Sequence, residues 1–85
     1  MKSITYTITD ELGIHARPAG LLVKLAGGFQ SKITVTKDGK EADAKRIMAL
    51  MGLSATKGSV VTVKVEGPDE DDAAKAVEDF LKANL

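Results

Sequence analysis

The chain lacks cysteine, which excludes disulfide bonds, thiolate chemistry and cysteine-ligated metal sites. It has only three aromatic residues, Tyr6, Phe29 and Phe80, too few for a platform on which nucleic-acid bases stack. Basic and acidic residues number 12 each, whereas a protein that binds nucleic acid through its phosphates needs a basic excess. We therefore expect no nucleic-acid partner.

Long apolar runs are also missing, and none approaches the ~18 residues typical of a transmembrane helix. Polar residues interrupt the N-terminal apolar ones at Thr5, Thr7 and Thr9, so no signal peptide is recognised. The 85 residues are 44% hydrophobic and 28% charged, which is typical of one globular domain over residues 1–85. We expect no membrane insertion, a cytoplasmic location and a monomer.

The apolar pattern alternates between the period of a strand and that of a helix. Strands are predicted where apolar and polar residues alternate, at 3–9, 32–36, 41–43 and 59–66. Helices are predicted from residue 16 to the glycine pair at 27–28, over 44–53, and after residue 69. Asp38-Gly39 predicts a tight hairpin turn. Asp69 is the predicted N-cap of the last helix, and this role explains the acidic run at 70–72 better than a ligand does.

The resulting order is βαββαβα, which predicts an α+β fold. We expect a two-layer open-faced β-sandwich, with a four-stranded antiparallel sheet and three helices on one face. The other face of the sheet, rich in threonine and lysine, would point to water.

The only histidine lies in the segment Gly13-Ile14-His15-Ala16-Arg17-Pro18-Ala19. Pro18 falls in the first turn of the helix predicted to begin at residue 16, where its missing N–H costs no hydrogen bond within the helix. A helix N-terminus has unpaired N–H groups and partial positive charge, which favour an anion. Phosphorylation of His15 would add about two negative charges. The N–H groups of Ala16 and Arg17 and the Arg17 guanidinium could hold them. This pattern predicts a phosphoryl-accepting site.

A lone histidine between glycine and proline can also simply cap a helix or fill a turn. Spacing alone leaves both interpretations open. With no second histidine and no cysteine, a metal site is not expected. No Ser-His-Asp arrangement is apparent, and the loop at 10–13 is a poor match to the phosphate-cradling loop of an acylphosphatase.

The segment from Gly13 to Ala19 closely resembles the active-site signature of HPr, the histidine-containing phosphocarrier of the bacterial phosphoenolpyruvate:sugar phosphotransferase system. The resemblance extends over the whole chain, through its length, its element order and the Lys57-Gly58 turn into a valine-rich strand. It implies that His15 accepts a phosphoryl group through Nδ1 from phosphorylated enzyme I and passes it to an enzyme IIA domain for sugar uptake. It also implies that Arg17 stabilises the phosphoryl group, and that the protein is a carrier without a cofactor rather than an enzyme.

The family docks its partners around this helix, and the sequence offers a matching surface. The second helix is rich in methionine, an adaptable contact residue on surfaces that bind several partners. Leu50 and Leu53 are the better core candidates on spacing, whereas Met48 and Met51 are expected to be exposed and Ile47 is ambiguous. The predicted docking residues are Gly20, Leu21, Lys24, Ile47, Met48 and Met51.

Arg46 stands where many HPr proteins carry a regulatory serine. Arginine has no hydroxyl to phosphorylate, so that switch is absent at this position, and nothing marks Ser54 or Ser59 as a substitute. Two other functions stay open from the sequence. One is the nitrogen-branch regulatory phosphocarrier of the same fold, and the other is a regulatory binding module that is never phosphorylated.

Overall fold

The computed structural model describes residues 1–85 and has the predicted βαββαβα order. The strands are β1 (Lys2–Thr7), β2 (Lys32–Lys37), β3 (Lys40–Asp43) and β4 (Val60–Glu66). The helices are α1 (Ala16–Gly27), α2 (Ile47–Met51) and α3 (Glu70–Asn84). All four strands form one antiparallel sheet in the order β1-β4-β2-β3, and the predicted α+β fold is confirmed. None of the helices is long and apolar enough to cross a membrane.

The core lies between the helices and one face of the sheet. In the central strand β4, Val61, Val63 and Val65 are fully buried, and the residues between them point to the other face. The predicted stripes of α1 and α3 cover them, with Leu22 and Val77 fully buried. Each such side chain contributes ~1.5–3 kcal/mol when it leaves water. The strand and helix periods therefore account for the two-layer arrangement.

The hairpin between β2 and β3 confirms the turn prediction. Lys37 pairs with Lys40, which leaves Asp38 and Gly39 as a two-residue loop. Both loop residues have positive φ, 50° and 81°. These are the conformations of a type I′ turn, which an Asp-Gly pair favours.

Two predicted elements extend two or more residues past the observed ends. The first strand ends at Thr7 rather than residue 9, because the N–H groups of Thr9 and Asp10 donate to the Leu85 oxygen instead of to β4. The second helix covers only Ile47–Met51 rather than 44–53. Asp43 accepts N–H bonds from the two residues just before α2 and makes a turn there.

Asp69 occupies the N-cap position of α3 as predicted, but its side chain caps no N–H group of that helix. Its carboxylate instead accepts the N–H groups of Gln30 and Ser31, each at 2.9 Å, and the Ser31 hydroxyl. Ser31 is fully buried. Asp69 thus ties the start of α3 to the segment before β2, a contact between residues far apart in sequence.

This contact predicts a loss of stability in acid. The Ser31 hydroxyl, followed by the Gln30 N–H, lowers the pKa of Asp69 below its usual 3.8. Because the folded-state pKa is the lower one, the stabilisation is present above about pH 3.8 and is lost as the pH falls through the folded-state value. Asp69→Asn should lower the urea midpoint at neutral pH, and the difference from wild type should shrink in acid.

The matched control for this prediction is Asp72→Asn. Asp72 is an exposed acid in the same first turn and makes no side-chain hydrogen bond or ion pair. Equal losses in the two variants, measured by urea titration at several pH values, would assign the effect to the helix dipole and not to the Ser31 contact.

Candidate phosphoryl-acceptor site

The loop between β1 and α1, residues 8–15, is held at both ends. At its start, Thr9 and Asp10 donate their N–H groups to the Leu85 oxygen at 2.6 and 2.9 Å. At its end, the Ile14 N–H donates to the Ala55 oxygen at 2.8 Å. Gly13 has φ +65°, and a Cβ there would lie only 2.1 Å from the Ala55 oxygen. The loop is therefore fixed against the backbone around Ala55.

His15 is the N-cap residue of α1, and its main-chain oxygen accepts the Ala19 N–H at 3.0 Å. Its imidazole, however, makes no capping hydrogen bond, and 39% of the side chain is exposed. The ring is therefore not used to cap the helix. This observation removes the helix-capping alternative for the histidine side chain.

The first turn of α1 presents free donors beside the ring. The N–H groups of Ala16 and Arg17 have no intramolecular partner, and Pro18 has no N–H. The Arg17 side chain is exposed and forms no ion pair within 4.0 Å. Two unpaired N–H groups at the positive end of a helix and an unpaired guanidinium form a ready site for a phosphoryl anion.

His15 and Arg17 share a shallow depression of about 230 Å³. Residues from the loop, α1 and the end of α3 line it: Asp10, His15, Arg17, Pro18, Leu21, Ala83 and Asn84. Sequence analysis missed Asp10, whose carboxylate lies 3.9 Å from His15 Nε2 and accepts the N–H groups of Leu12 and Gly13 at 3.1 and 3.2 Å. A carboxylate that accepts N–H groups two and three residues later in the chain forms an Asx turn, for which aspartate is a favoured residue. This preference could have identified Asp10 from the sequence.

The predicted docking residues lie on α1 and α2, which pack against each other, and Leu21 among them lines the depression. Leu50 and Leu53 are buried, whereas Met48 is 76% exposed and Met51 is also exposed, as expected. The ambiguous Ile47 is exposed too. Ile47, Met48 and Met51 thus expose apolar surface on the helix that packs against α1.

The remaining docking candidates lie on α1 itself. Gly20 is half-buried, and a Cβ built there would be 3.7 Å from Ile47 Cδ1, so the glycine lies where α2 packs against α1. Leu21 and Lys24 also line an apolar groove between α1 and α3. The predicted docking residues of α1 thus lie both on its α2 side and on its α3 side.

Arg46 is the N-cap residue of α2 and is exposed, and its side chain makes no capping hydrogen bond. Of the two nearby serines, Ser59 accepts the Thr56 N–H at 3.1 Å through its hydroxyl oxygen. Ser54 has a left-handed backbone with φ 53°.

Comparison with known proteins identifies the family. Residues 2–83 match the family model described as the phosphotransferase system HPr component phosphorylation site. The chain belongs to the HPr family. It is therefore a phosphocarrier of the phosphotransferase system, a carrier and not a catalyst.

Solved HPr structures share both the sequence and the fold. An HPr of Thermoanaerobacter tengcongensis is 44% identical with a TM-score of 0.92, and the match covers 98% of this chain and 93% of that chain. An HPr of Bacillus anthracis is 35% identical with a TM-score of 0.87, over 94% of this chain and 95% of that one. Crh, a catabolite-repression protein of Bacillus subtilis described as a swapped dimer, is 34% identical with a TM-score of 0.79, over 100% and 98%. Regulatory relatives therefore match at an identity similar to that of some carriers.

Proposed function

We propose that His15 carries the phosphoryl group, accepting it on Nδ1 from phosphorylated enzyme I and passing it to an enzyme IIA domain for sugar uptake. One observation supports this assignment above the others. The chain's only histidine has an exposed imidazole beside two unpaired N–H groups and an unpaired arginine. No other part of the chain can form phosphohistidine.

The chemistry follows from these groups. The Nδ1 lone pair forms a bond to phosphorus while the bond from phosphorus to the donor nitrogen breaks, and its electron pair stays with the donor. The phosphoryl oxygens then accept hydrogen bonds from the N–H groups of Ala16 and Arg17 and from the Arg17 guanidinium. The positive end of α1 stabilises the added charge. The same contacts must be released on transfer, which suits exposed donors better than buried ones.

Intact mass measurement tests the assignment. The protein is mixed with enzyme I, magnesium and phosphoenolpyruvate, and we expect one added phosphate that acid removes and base spares. Because the chain has one histidine, such a phosphate identifies His15. An acid-stable phosphate, or no label while a known HPr is labelled in parallel, would contradict the proposal.

The two alternatives are outcomes of the same assay. Labelling by the nitrogen-branch enzyme I in preference to the sugar-branch enzyme would identify the regulatory relay. Absence of labelling by either enzyme would identify a binding module. The presence of His15 and Arg17 favours a phosphocarrier over the binding module, and the choice of enzyme I distinguishes the two carriers.

We further propose that residues 1–85 act as one domain and as a monomer in the cytoplasm. All seven elements and their loops enclose one cluster of 19 buried apolar residues, which supports a single folding unit. Phosphoenolpyruvate, the ultimate donor, is a cytoplasmic metabolite. Sedimentation equilibrium should give the mass of one chain.

The docking surface is proposed to be the exposed set on α1 and α2, namely Gly20, Leu21, Lys24, Ile47, Met48 and Met51. Four of these are large apolar side chains exposed on neighbouring helices, and burial by a partner would remove them from water. Lys24 adds a positive charge to this surface. Both partners would use this surface, since each must approach the same phosphoryl group.

Met48→Asp should weaken binding to enzyme I about tenfold or more, because it replaces a contact worth ~1.5–3 kcal/mol with a charge that must be desolvated. The unfolding free energy should change by less than ~0.5 kcal/mol, since Met48 is 76% exposed. Val60→Asp is the matched control, because Val60 is 51% exposed on the other face of the sheet. Titration calorimetry checks both, and equal affinities for the two variants would place Met48 outside the interface.

A further inference from the structure

The carboxylate of Asp10 lies on the Nε2 side of His15, at 3.9 Å from that nitrogen. It is not free to move away, because the same oxygen accepts the N–H groups of Leu12 and Gly13. The Asp10 N–H is in turn held by the Leu85 oxygen at 2.9 Å. A fixed carboxylate therefore faces one ring nitrogen of the proposed phosphoryl acceptor.

The two imidazole nitrogens have different tasks in the proposed reaction. In a neutral imidazole one nitrogen carries the proton and the other carries the lone pair, and the groups around the ring decide which is which. At 3.9 Å the Asp10 carboxylate makes no hydrogen bond to Nε2, but its negative charge attracts an N–H dipole there and so favours the Nε2–H form. That form leaves the lone pair on Nδ1.

The same proton matters when the phosphoryl group leaves. The bond from phosphorus to Nδ1 breaks, its electron pair returns to the ring, and the acceptor atom donates a new pair to phosphorus. With a proton on Nε2 the departing ring is neutral imidazole, and without it the ring is an imidazolate anion. A carboxylate beside Nε2 stabilises the protonated ring and therefore favours departure of the phosphoryl group.

We propose that Asp10 is a positioning residue for His15: the charge of the Asp10 carboxylate favours the proton on Nε2 and so leaves the Nδ1 lone pair for the phosphoryl group. This inference rests on the proposed role of His15 as the acceptor. The two ring nitrogens point away from each other, so the carboxylate lies on the side opposite the phosphoryl oxygens. The imidazole ring thus separates the negative charge of the carboxylate from that of the phosphoryl oxygens.

Apart from Asp10, no residue that lines the depression carries a negative side chain. Arg17 is the one cation among them, and it attracts phosphate. From α3 the depression is lined by the uncharged residues Ala83 and Asn84. The Leu85 oxygen is engaged by the N–H groups of Thr9 and Asp10. Asp10 is the one carboxylate side chain that lines the depression.

The test variant is Asp10→Asn, which keeps an oxygen for the Leu12 and Gly13 N–H groups and removes the charge. Glu11→Gln is the matched control, because it removes one carboxylate from the neighbouring, exposed position. Asp10→Ser, whose hydroxyl can also accept in such a turn, is a second variant in case the asparagine protein fails to fold.

The first readout uses the unphosphorylated protein and needs no enzyme I. Two-bond ¹H–¹⁵N spectra at about pH 9, where imidazole is neutral, report which nitrogen carries the proton. We expect the Nε2–H form to dominate in wild type and in Glu11→Gln. In Asp10→Asn the Nδ1–H share should rise at least about twofold, because the carboxylate charge that attracts the Nε2–H dipole is gone.

The second readout is the pH profile of phosphohistidine hydrolysis after labelling. Asp10→Asn should hydrolyse about two- to fivefold more slowly near pH 7, because no carboxylate charge then stabilises the Nε2 proton of the departing ring. An unchanged tautomer ratio, an unchanged hydrolysis rate, or an equal effect of Glu11→Gln overturns the proposal. If wild type is not labelled at all, the assignment of His15 as the phosphoryl acceptor is wrong. The tautomer spectra then still show whether Asp10 favours the Nε2–H form of the ring.

Discussion

Replacing His15 with alanine should abolish phosphorylation by enzyme I and phosphoenolpyruvate while the protein stays folded. No second histidine can take the group, so labelling should fall to the background of the assay. The imidazole makes no capping hydrogen bond and is partly exposed, so its removal should change the unfolding free energy by less than about 1 kcal/mol. Intact mass and urea titration on the same sample measure the two effects.

The fold control is an amide ¹H–¹⁵N spectrum, in which only signals near the loop should shift. Arg17→Ala and Arg17→Lys complete the series, because Arg17 is exposed and unpaired and its loss should slow transfer without unfolding. Lysine keeps the charge but loses the bidentate geometry of arginine, so it should restore only part of the rate. Acid-labile phosphate on His15→Ala would refute the assigned site.

Gly13→Ala should be the most destabilising single-methyl change in the loop. The new Cβ would lie 2.1 Å from the Ala55 oxygen and 2.6 Å from Thr56 Cα, both backbone atoms that cannot turn aside like a side chain. A left-handed φ adds ~1–2 kcal/mol and the forced separation ~1–3 kcal/mol, so we expect a loss of ~2–5 kcal/mol. That is a large share of the ~5–15 kcal/mol that stabilises a typical domain. Urea titration measures it.

Gly39→Ala is the matched control. Gly39 also has positive φ, +81°, but a Cβ there meets no atom within 4 Å. Its replacement should cost only the backbone strain, ~1–2 kcal/mol, and should leave phosphorylation unchanged. The difference between the two variants measures the close approach of Gly13 to Ala55. If they lose equal stability, the close approach contributes nothing and the position of the His15 loop has another cause.

The two glycines also show where sequence reasoning succeeds. Asp38-Gly39 is a local signal, because a two-residue turn depends on the φ values of those two residues alone. Gly13, by contrast, was recognised from the sequence only as the first residue of the segment that contains His15. Position 13 has no room for a side chain because the Ala55 backbone lies against it, and Ala55 is 42 positions later in the sequence. No local sequence pattern predicts such a contact.

The candidate site divides in the same way. His15, Ala16 and Arg17 are consecutive at a helix start, so their chemistry was predicted from the sequence. Asn84 joins them only because the chain end packs beside the loop, where the Leu85 oxygen accepts the N–H groups of Thr9 and Asp10. Asp10 is placed by its own Asx turn, a local signal that the helix and strand periods do not report. The exposure of Met48 and the burial of Leu50 were predicted because both follow from helical spacing on one short element.

By itself the sequence determined the seven elements, their order, the two-layer class and the phosphoryl-accepting segment, since each depends on residues close together in the chain. The tertiary structure decided the insertion of β4 between β1 and β2, the shortening of α2 by the turn at Asp43, and the use of Asp69 to hold Ser31. It also placed the Asp10 carboxylate beside Nε2 of His15. The strand order and the Asp69–Ser31 contact depend on residues brought together only by packing. The turn at Asp43 and the approach of Asp10 to His15 depend on single side-chain hydrogen bonds and positions in loops, and hydrophobic periodicity carries no information about either kind of contact.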